Sequence, residues 1–276
     1  MSTQITTAFV EQYSANVQHL AQQKGSRLRS AVVNETVVGK NAFFEQIGKT
    51  AARQRTSRHS DTPRMDTPHA RRRVSLTDYD WADLIDNEDR VRMLIDPTSP
   101  YAQAAANAMG RAIDEAIIAA ADGTAYTGVD GSTSTSYTAG NTVDVQVGIS
   151  PAADTGLNVG KLRAAKQILD ANEADDEDRF MIINAKQLQN LLGQTEVTSS
   201  DYANVKALVN GEVNTFLGFQ FLRTELIGTD SNSDHKVLYF QKKGLLLGVG
   251  QNPQAKISER DDKNYATQVF YSMAIG

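Results

Sequence analysis

The sequence predicts an α+β fold with a core large enough for one large domain or two modest ones. An alanine-rich segment at 101–121 has the length and composition of a long helix. A helix–strand–helix pattern occupies 158–192, and strand-like segments follow it towards the C-terminus. Of the 276 residues, 40% are apolar, so a substantial core can be buried.

The N-terminal segment is predicted to form an amphipathic helix over residues 7–24. Phe9, Tyr13, Val17 and Leu20 follow one another at intervals of four, four and three residues, which places them on one face. This stripe needs a surface to pack against. The helix either packs on its own domain or lies across a neighbouring subunit.

A strand is expected within residues 27–38, followed by a long two-stranded excursion over 41–90. Residues 49–73 contain no apolar run and cannot form a core of their own. Pro63 and Pro68 hold the residues before them in extended conformations, so the tip should lie near them. Because isolated two-stranded hairpins are marginal in water, this one should be supported from outside the subunit.

The long helix at 101–121 has clear start signals. Thr98 or Ser99 can cap it, and Pro100 fits its first turn. Residues 123–157 are rich in Gly, Ser and Thr and predict a hairpin or a surface loop.

The second half of the chain predicts an α/β unit followed by several strands. Helices are expected at 158–172 and from Asn184 to about 192, with a buried strand at 179–183 between them. Further strands are expected at 216–226, 236–240, 244–249 and 264–275.

The charges lie in two adjacent blocks of opposite sign. The net charge of -5 argues against a protein that wraps nucleic acid by neutralising phosphates. Residues 49–73 carry eight basic side chains against two acids, and residues 78–89 carry six acids and no base. These blocks can pair with each other or with copies in neighbouring subunits.

The densest basic cluster is Arg71, Arg72 and Arg73. It could be a solvated strand face, a nucleic-acid patch or a surface that pairs with acids of a neighbouring subunit; the third interpretation is preferred because nearby acids would repel phosphate. Trp81 could anchor the same contact or pack in the core. The candidate inter-subunit contacts are therefore Arg64, Arg71, Arg72, Arg73, Asp78, Asp80, Trp81, Asp83, Phe9 and Tyr13.

No pattern for catalysis, cofactor binding or metal binding is found in the sequence. Cysteine is absent, and the four histidines have no metal-ligand spacing. The acidic run 175–178 lacks the glycine and final glutamate of a calcium loop, so a solvated turn is favoured. No apolar window suits a membrane span and no secretory signal is seen. We expect a non-enzymatic protein without cofactor, metal or membrane.

Four segments carry a resemblance to a known family. They are VVGKNAFFEQIG (37–48), DTPRMDTPHARRRVSLTDYDWADLID (61–86), IDPTSPYAQAAANAMGRAIDEAIIAAADGTAYTG (95–128) and FLGFQFLRT (216–224). The chain resembles tailed-bacteriophage major capsid proteins with the Hong Kong 97-like fold, in particular a subgroup with DTP-x-MDTPH-x-RRR and DPTS-x-YA segments. The similarity covers nearly the full length and is weakest at 129–157.

The resemblance implies a domain layout and a function. Residues 1–40 would be an N-terminal arm, 41–95 the extended loop, 96–155 with 253–276 the peripheral domain, and 156–252 the axial domain. The protein would self-assemble through pentamers and hexamers into an icosahedral head shell around double-stranded DNA. It would be made in the host cytoplasm and reside in the virion.

The same resemblance implies partners and leaves alternatives open. Scaffolding, portal and decoration proteins are possible partners, and packaged DNA would be near the shell only non-specifically. Some relatives form Lys–Asn cross-links through the loop, but no lysine occurs from 50 to 160, which leaves only Lys40 and Lys49 open. The alternatives are an encapsulin-like compartment or a tail or adaptor protein.

Overall fold

The computed structural model describes residues 22–59, 61–62, 64–86, 98–147, 155–194, 215–230 and 233–276. Its helices are α1 (Thr98–Ala121), α2 (Val159–Ala171) and α3 (Ala185–Leu192). Its strands are β1 (Val33–Thr36), β2 (Asn41–Ile47), β3 (His69–Ser75), β4 (Thr77–Ile85), β5 (Ala125–Thr127), β6 (Thr133–Thr135), β7 (Arg179–Ile183), β8 (Thr215–Phe216), β9 (Phe219–Arg223), β10 (Leu238–Gln241), β11 (Leu246–Arg260) and β12 (Ala266–Ile275). None of the described helices is long and apolar enough to cross a membrane.

The main sheet has the strand order β1-β11-β12-β4. Strand β12 pairs antiparallel with β11 on one side and with β4 on the other, whereas β1 lies parallel to β11. The C-terminal strand is therefore central to the sheet. It buries Val269, Met273 and Ile275.

Helix α1 packs against the main sheet through one apolar stripe. Ala105, Met109, Ile113 and Ile117 recur every four residues and are buried, as expected for a helix with one face on a core. The helix ends before Gly123, where a Cβ would lie 2.6 Å from the carbonyl oxygen of Ala119. The prediction of a helix over 101–121 is confirmed, with a start three residues earlier.

The second sheet has the order β10-β7-β9-β8, and its central strand β7 is buried along its whole length. Phe180 and Ile182 face the core that contains α1, while Met181 and Ile183 face the core under α2 and α3. This alternation follows the two-residue repeat of a strand that is covered on both sides. The predicted helix–strand–helix unit is confirmed, including the cap at Asn184.

The loop sheet has the order β2-β3-β5-β6 and differs from the expected excursion. Strands β2 and β3 pair antiparallel, but β4 leaves them and joins β12 in the main sheet. The excursion therefore ends at residue 75 rather than near 90, because Tyr79 and Trp81 on β4 pack against the core around α1. The hairpin β5–β6 extends this sheet and accounts for part of the segment 123–157.

Two further expectations differ from the structure at the N-terminal end. The strand expected within 27–38 is limited to β1, because Arg29–Ala31 form a 3₁₀ turn. The helix expected over 7–24, with Phe9 and Tyr13, lies outside the described residues up to 21, and residues 22–24 are not helical.

Candidate assembly surface

One face of the loop sheet combines aromatic and arginine side chains. The register places Arg73 between Phe43 on β2 and Tyr126 on β5, and places Arg71 opposite Glu45. The Arg71 guanidinium lies 5.5 Å from the centre of the Phe43 ring, and that of Arg73 lies 4.7 Å from the centre of the Tyr126 ring. Both distances fit cation–π contacts. The face is held together by contacts between neighbouring strands.

An ion pair orders the edge of this face. Arg71 donates a hydrogen bond from Nη2 to Oε1 of Glu45 at 2.5 Å, and Nη1 donates to the carbonyl of Val129 at 3.3 Å. The hydrogen bond from Arg71 and its positive charge lower the pKa of Glu45. Because the Glu45 side chain is largely in water and that of Arg71 is partly so, the pair orients Arg71 more than it stabilises the fold.

The face is exposed although it is rich in apolar side chains. Phe43, Ile47 and Tyr126 are three of the nine large hydrophobic residues that are exposed in the described part of the chain. We call the surface formed by Phe43, Ile47, Arg71, Arg73 and Tyr126 the aromatic–arginine face. Buried aromatic and arginine side chains dominate binding energies in protein interfaces, so this composition is typical of a surface that another molecule covers.

Glycine at position 131 leaves the space in which Arg73 lies over the Tyr126 ring. Gly131 has φ +60°, and a Cβ there would be 2.7 Å from Cβ of Arg73 and 3.0 Å from the Phe43 ring. Any side chain would displace both residues. The Gly-rich turn after β5 is thus part of the surface.

The loop between β2 and β3 is exposed and basic. Arg53, Arg55, Arg58 and Arg64 lie on it, and all four are exposed. The backbone amide of Gly48 donates to the carbonyl of Pro68 and closes its base. Beyond that point, an ion pair at 2.5 Å joins Lys49 to Glu173, and both side chains are mostly in water. Such a pair holds the loop only weakly.

The three predicted arginines occupy different environments. Arg71 pairs with Glu45, whereas Arg73 lies over the Tyr126 ring and has no ion pair among the described residues. The Arg72 side chain points to the opposite face, is exposed and forms no hydrogen bond or ion pair among the described residues. Arg64 on the loop is likewise unpaired within the described ranges.

The predicted acids lie on the outermost strand of the main sheet. Asp78 and Asp80 are exposed on one face of β4, whereas Asp83 is half-buried on the opposite face, with Tyr79 and Trp81. The described residues contain no ion pair between this acidic block and the basic block. Trp81 is half-buried against the core around α1, which agrees with its core-packing alternative.

The acidic run after α2 is organised by a buried arginine that the sequence analysis did not single out. Arg179 is 2% exposed; it pairs with Asp170 at 2.6 Å and donates to the carbonyls of Ala174 and Asp175. The turn expected to be solvated is therefore held on one side by hydrogen bonds to Arg179. No three acidic or histidine side chains of the described segments are close enough together to hold a metal ion.

The fold combines a long helix on one sheet, a second sheet and a loop sheet, and solved structures of phage capsids have a similar overall fold. The capsid of cyanophage P-SCSP1u is similar with a TM-score of 0.69 and 19% sequence identity, covering 98% of this chain and 89% of that chain. The capsid of Ralstonia phage GP4 has a TM-score of 0.70 and 11% identity, covering 96% of this chain and 89% of that chain. The capsid of Helicobacter pylori bacteriophage KHP30 has a TM-score of 0.70 and 10% identity, covering 100% of this chain and 90% of that chain. The fold is consistent with the expected Hong Kong 97-like architecture.

The sequence itself matches a family model described as phage capsid protein over residues 5–276. The chain belongs to that family and is a major capsid protein, a structural component of the virion shell. No curated protein matches it significantly. The encapsulin-like and tail or adaptor alternatives are not favoured.

Proposed function

We propose that the chain assembles through pentamers and hexamers into a closed icosahedral shell around double-stranded DNA. The observation that carries this proposal is the aromatic–arginine face: the turn 128–131 covers it only in part, and Phe43, Ile47 and Tyr126 remain 41%, 70% and 44% exposed. A shell supplies the missing cover because every copy is surrounded by others in a repeated geometry.

The proposed layout matches the sheets in part. Helix α1 and strand β12 would lie in the peripheral domain, residues 96–155 and 253–276, and the second sheet with α2 and α3 would lie in the axial domain, residues 156–252, while β11 (Leu246–Arg260) would cross the boundary between the two. The arm would comprise residues 1–40 and the extended loop residues 41–95. Since β4 belongs to the main sheet, the projecting part of that loop would be limited to residues 41–75.

The proposed contact joins the loop of one copy to the acidic strand of the next. Arg64 and Arg72 carry unpaired charges, and Asp78 and Asp80 are exposed acids without an ion-pair partner in the described residues. Exposed ion pairs contribute at most about 1 kcal/mol each. Because each ion pair is repeated across the shell, the pairs together stabilise it. Because each pair is weak, a misplaced copy can dissociate.

Other partners follow from the same role. Scaffolding, portal and decoration proteins are proposed partners, and synthesis would take place in the host cytoplasm. With a net charge of -5, the chain would hold DNA by enclosing it rather than by phosphate contacts. Its role is proposed to be structural, without catalysis.

The test is a charge reversal in the loop sheet. The variant R71E/R72E/R73E should abolish closed particles in negative-stain micrographs while the subunit stays folded by circular dichroism. Because Arg71 and Arg73 also hold their own sheet together, R72E alone is the sharper variant, with exposed R163E on α2 as the matched control. Adding D78R and D80R to R72E should restore particles. Wild-type shells from both R72E and the triple variant would refute the contact.

A second measurement concerns the contents of the particle. Virions purified from infected cells should contain DNA that nuclease cannot reach. Particles that hold only cargo protein would instead indicate a cellular compartment.

A further inference from the structure

The segment 22–28, which we call the strap, crosses α1 at a notch made by a glycine. A Cβ on Gly110 would lie 2.3 Å from the backbone carbon of Gly25, so only glycine permits this crossing. Asn107, one turn earlier on α1, accepts a hydrogen bond from the Gly25 amide at 3.2 Å. Arg111 donates to the side chain of Gln22 at 3.0 Å. The strap therefore lies along one face of the long helix.

A fully buried carboxylate fastens the strap. Asp114 on α1 is 0% exposed, and both of its oxygens accept hydrogen bonds from the strap. The donors are the Gln23 side chain at 2.5 Å, the Ser26 hydroxyl at 2.5 Å, the Arg27 amide at 3.0 Å and the Leu28 amide at 3.1 Å. Buried carboxylates are costly unless their oxygens are saturated with donors, and here the strap supplies all four.

The strap also contacts the end of the second sheet. Arg27 donates from Nη1 to the carbonyl of Arg223 at 2.7 Å, and the Thr224 hydroxyl donates to the side chain of Gln23 at 3.4 Å. Leu28, the last residue of the strap, is completely buried in the core shared by α1 and the second sheet. The strap thus connects α1 to β9 and fixes the position of Gln22, to which the first 21 residues are attached.

We propose that Asp114 is a positioning residue for shell assembly. By accepting four hydrogen bonds from the strap, it sets the point from which the N-terminal arm starts and fixes the junction between α1 and the second sheet. The assembly part of this inference rests on the proposed function. The attachment of the strap to Asp114 does not depend on it and can be measured on free subunits.

The principal variant is D114N, which keeps the shape of the side chain. The amide replaces one acceptor oxygen with a donor, which then faces donors of the strap. Limited trypsin digestion should cut after Lys24, Arg27 or Arg29 at least about tenfold faster than in the wild type, because cleavage tracks local opening. Cleavage within α2, after Arg163 or Lys166, should be unchanged. The matched control E115Q, an exposed neighbour, should leave the strap protected.

A second variant disturbs the strap without changing Asp114, so the test does not depend on correct folding of D114N. In G110A, the added methyl group overlaps the strap backbone, while alanine is the better helix former, so α1 itself gains stability. Accelerated strap cleavage with loss of closed shells in both D114N and G110A supports the inference. Wild-type strap protection in either folded variant, or uniformly faster cleavage at all sites, overturns it. Should the wild type itself form no shells, the proposed function fails while the cleavage result still decides the role of Asp114.

Discussion

Replacing Phe43 with alanine should weaken assembly of the capsid protein more than it weakens the subunit. The side chain is 41% exposed on the aromatic–arginine face. Complete burial of a phenylalanine is worth about 1.5–3 kcal/mol, so covering the exposed two-fifths adds about 0.6–1.2 kcal/mol per contact. F43A should therefore raise the subunit concentration needed for assembly by about threefold to eightfold.

The assay is a concentration series followed by light scattering and sedimentation. The matched control is F219A, the same deletion at a completely buried position of the second sheet. F219A should lower the free energy of unfolding by about 3–5 kcal/mol, measured by urea denaturation, because it leaves a cavity. An F43A protein that assembles at the wild-type threshold would show that this face stays in water in the shell.

Three further predictions concern the subunit. R179M should lower the free energy of unfolding by about 1–3 kcal/mol, because it removes the hydrogen-bond donor from half-exposed Asp170 and from two carbonyls; K243M, which breaks an exposed pair with Asp175, should leave the urea midpoint unchanged. Burial raises the pKa of Tyr239 to about 12 from 10.0. The folded state therefore favours the neutral phenol, and stability should fall as pH rises from 10 towards 12; Y239F should show a smaller fall in alkaline urea titrations, because Tyr101 and Tyr137, whose pKa values burial also raises, keep part of it. G131A should speed amide exchange in β5, since its φ of +60° disfavours a side chain and its methyl group meets Arg73; G228A, in open space, should not.

The periodic elements could be predicted because their signals are local. The buried stripe of α1, the caps of α2 and α3 and the buried strand β7 are each readable within a short window. The place of β4 could not be read this way, because its partner β12 follows it by nearly two hundred residues. Residues on one continuous strand-like run were therefore assigned to one hairpin although they belong to two sheets.

The composition of the sequence indicated which residues belong to the candidate surface, but it did not predict which of them contact one another. The cluster of arginines was visible, but the register that brings Arg71 to Glu45 and Arg73 to Tyr126 depends on strand pairing across distant segments. Asp114 and Arg179 were missed for a similar reason. Asp114 lies in an alanine-rich helix that also carries Arg111 and Glu115, and Arg179 begins an otherwise apolar strand, so the only signals were Gly110 one turn before Asp114 and the acidic run before Arg179.

The open border of the main sheet has a consequence for a protein made in many copies. In the described residues β4 pairs with β12 only, so this nine-residue strand is a free edge with which another extended chain could pair. The carboxylates of Asp78 and Asp80 on this edge strand repel the same carboxylates on the edge strand of an identical molecule. Crowded newly made copies are thus discouraged from stacking edge to edge into fibres.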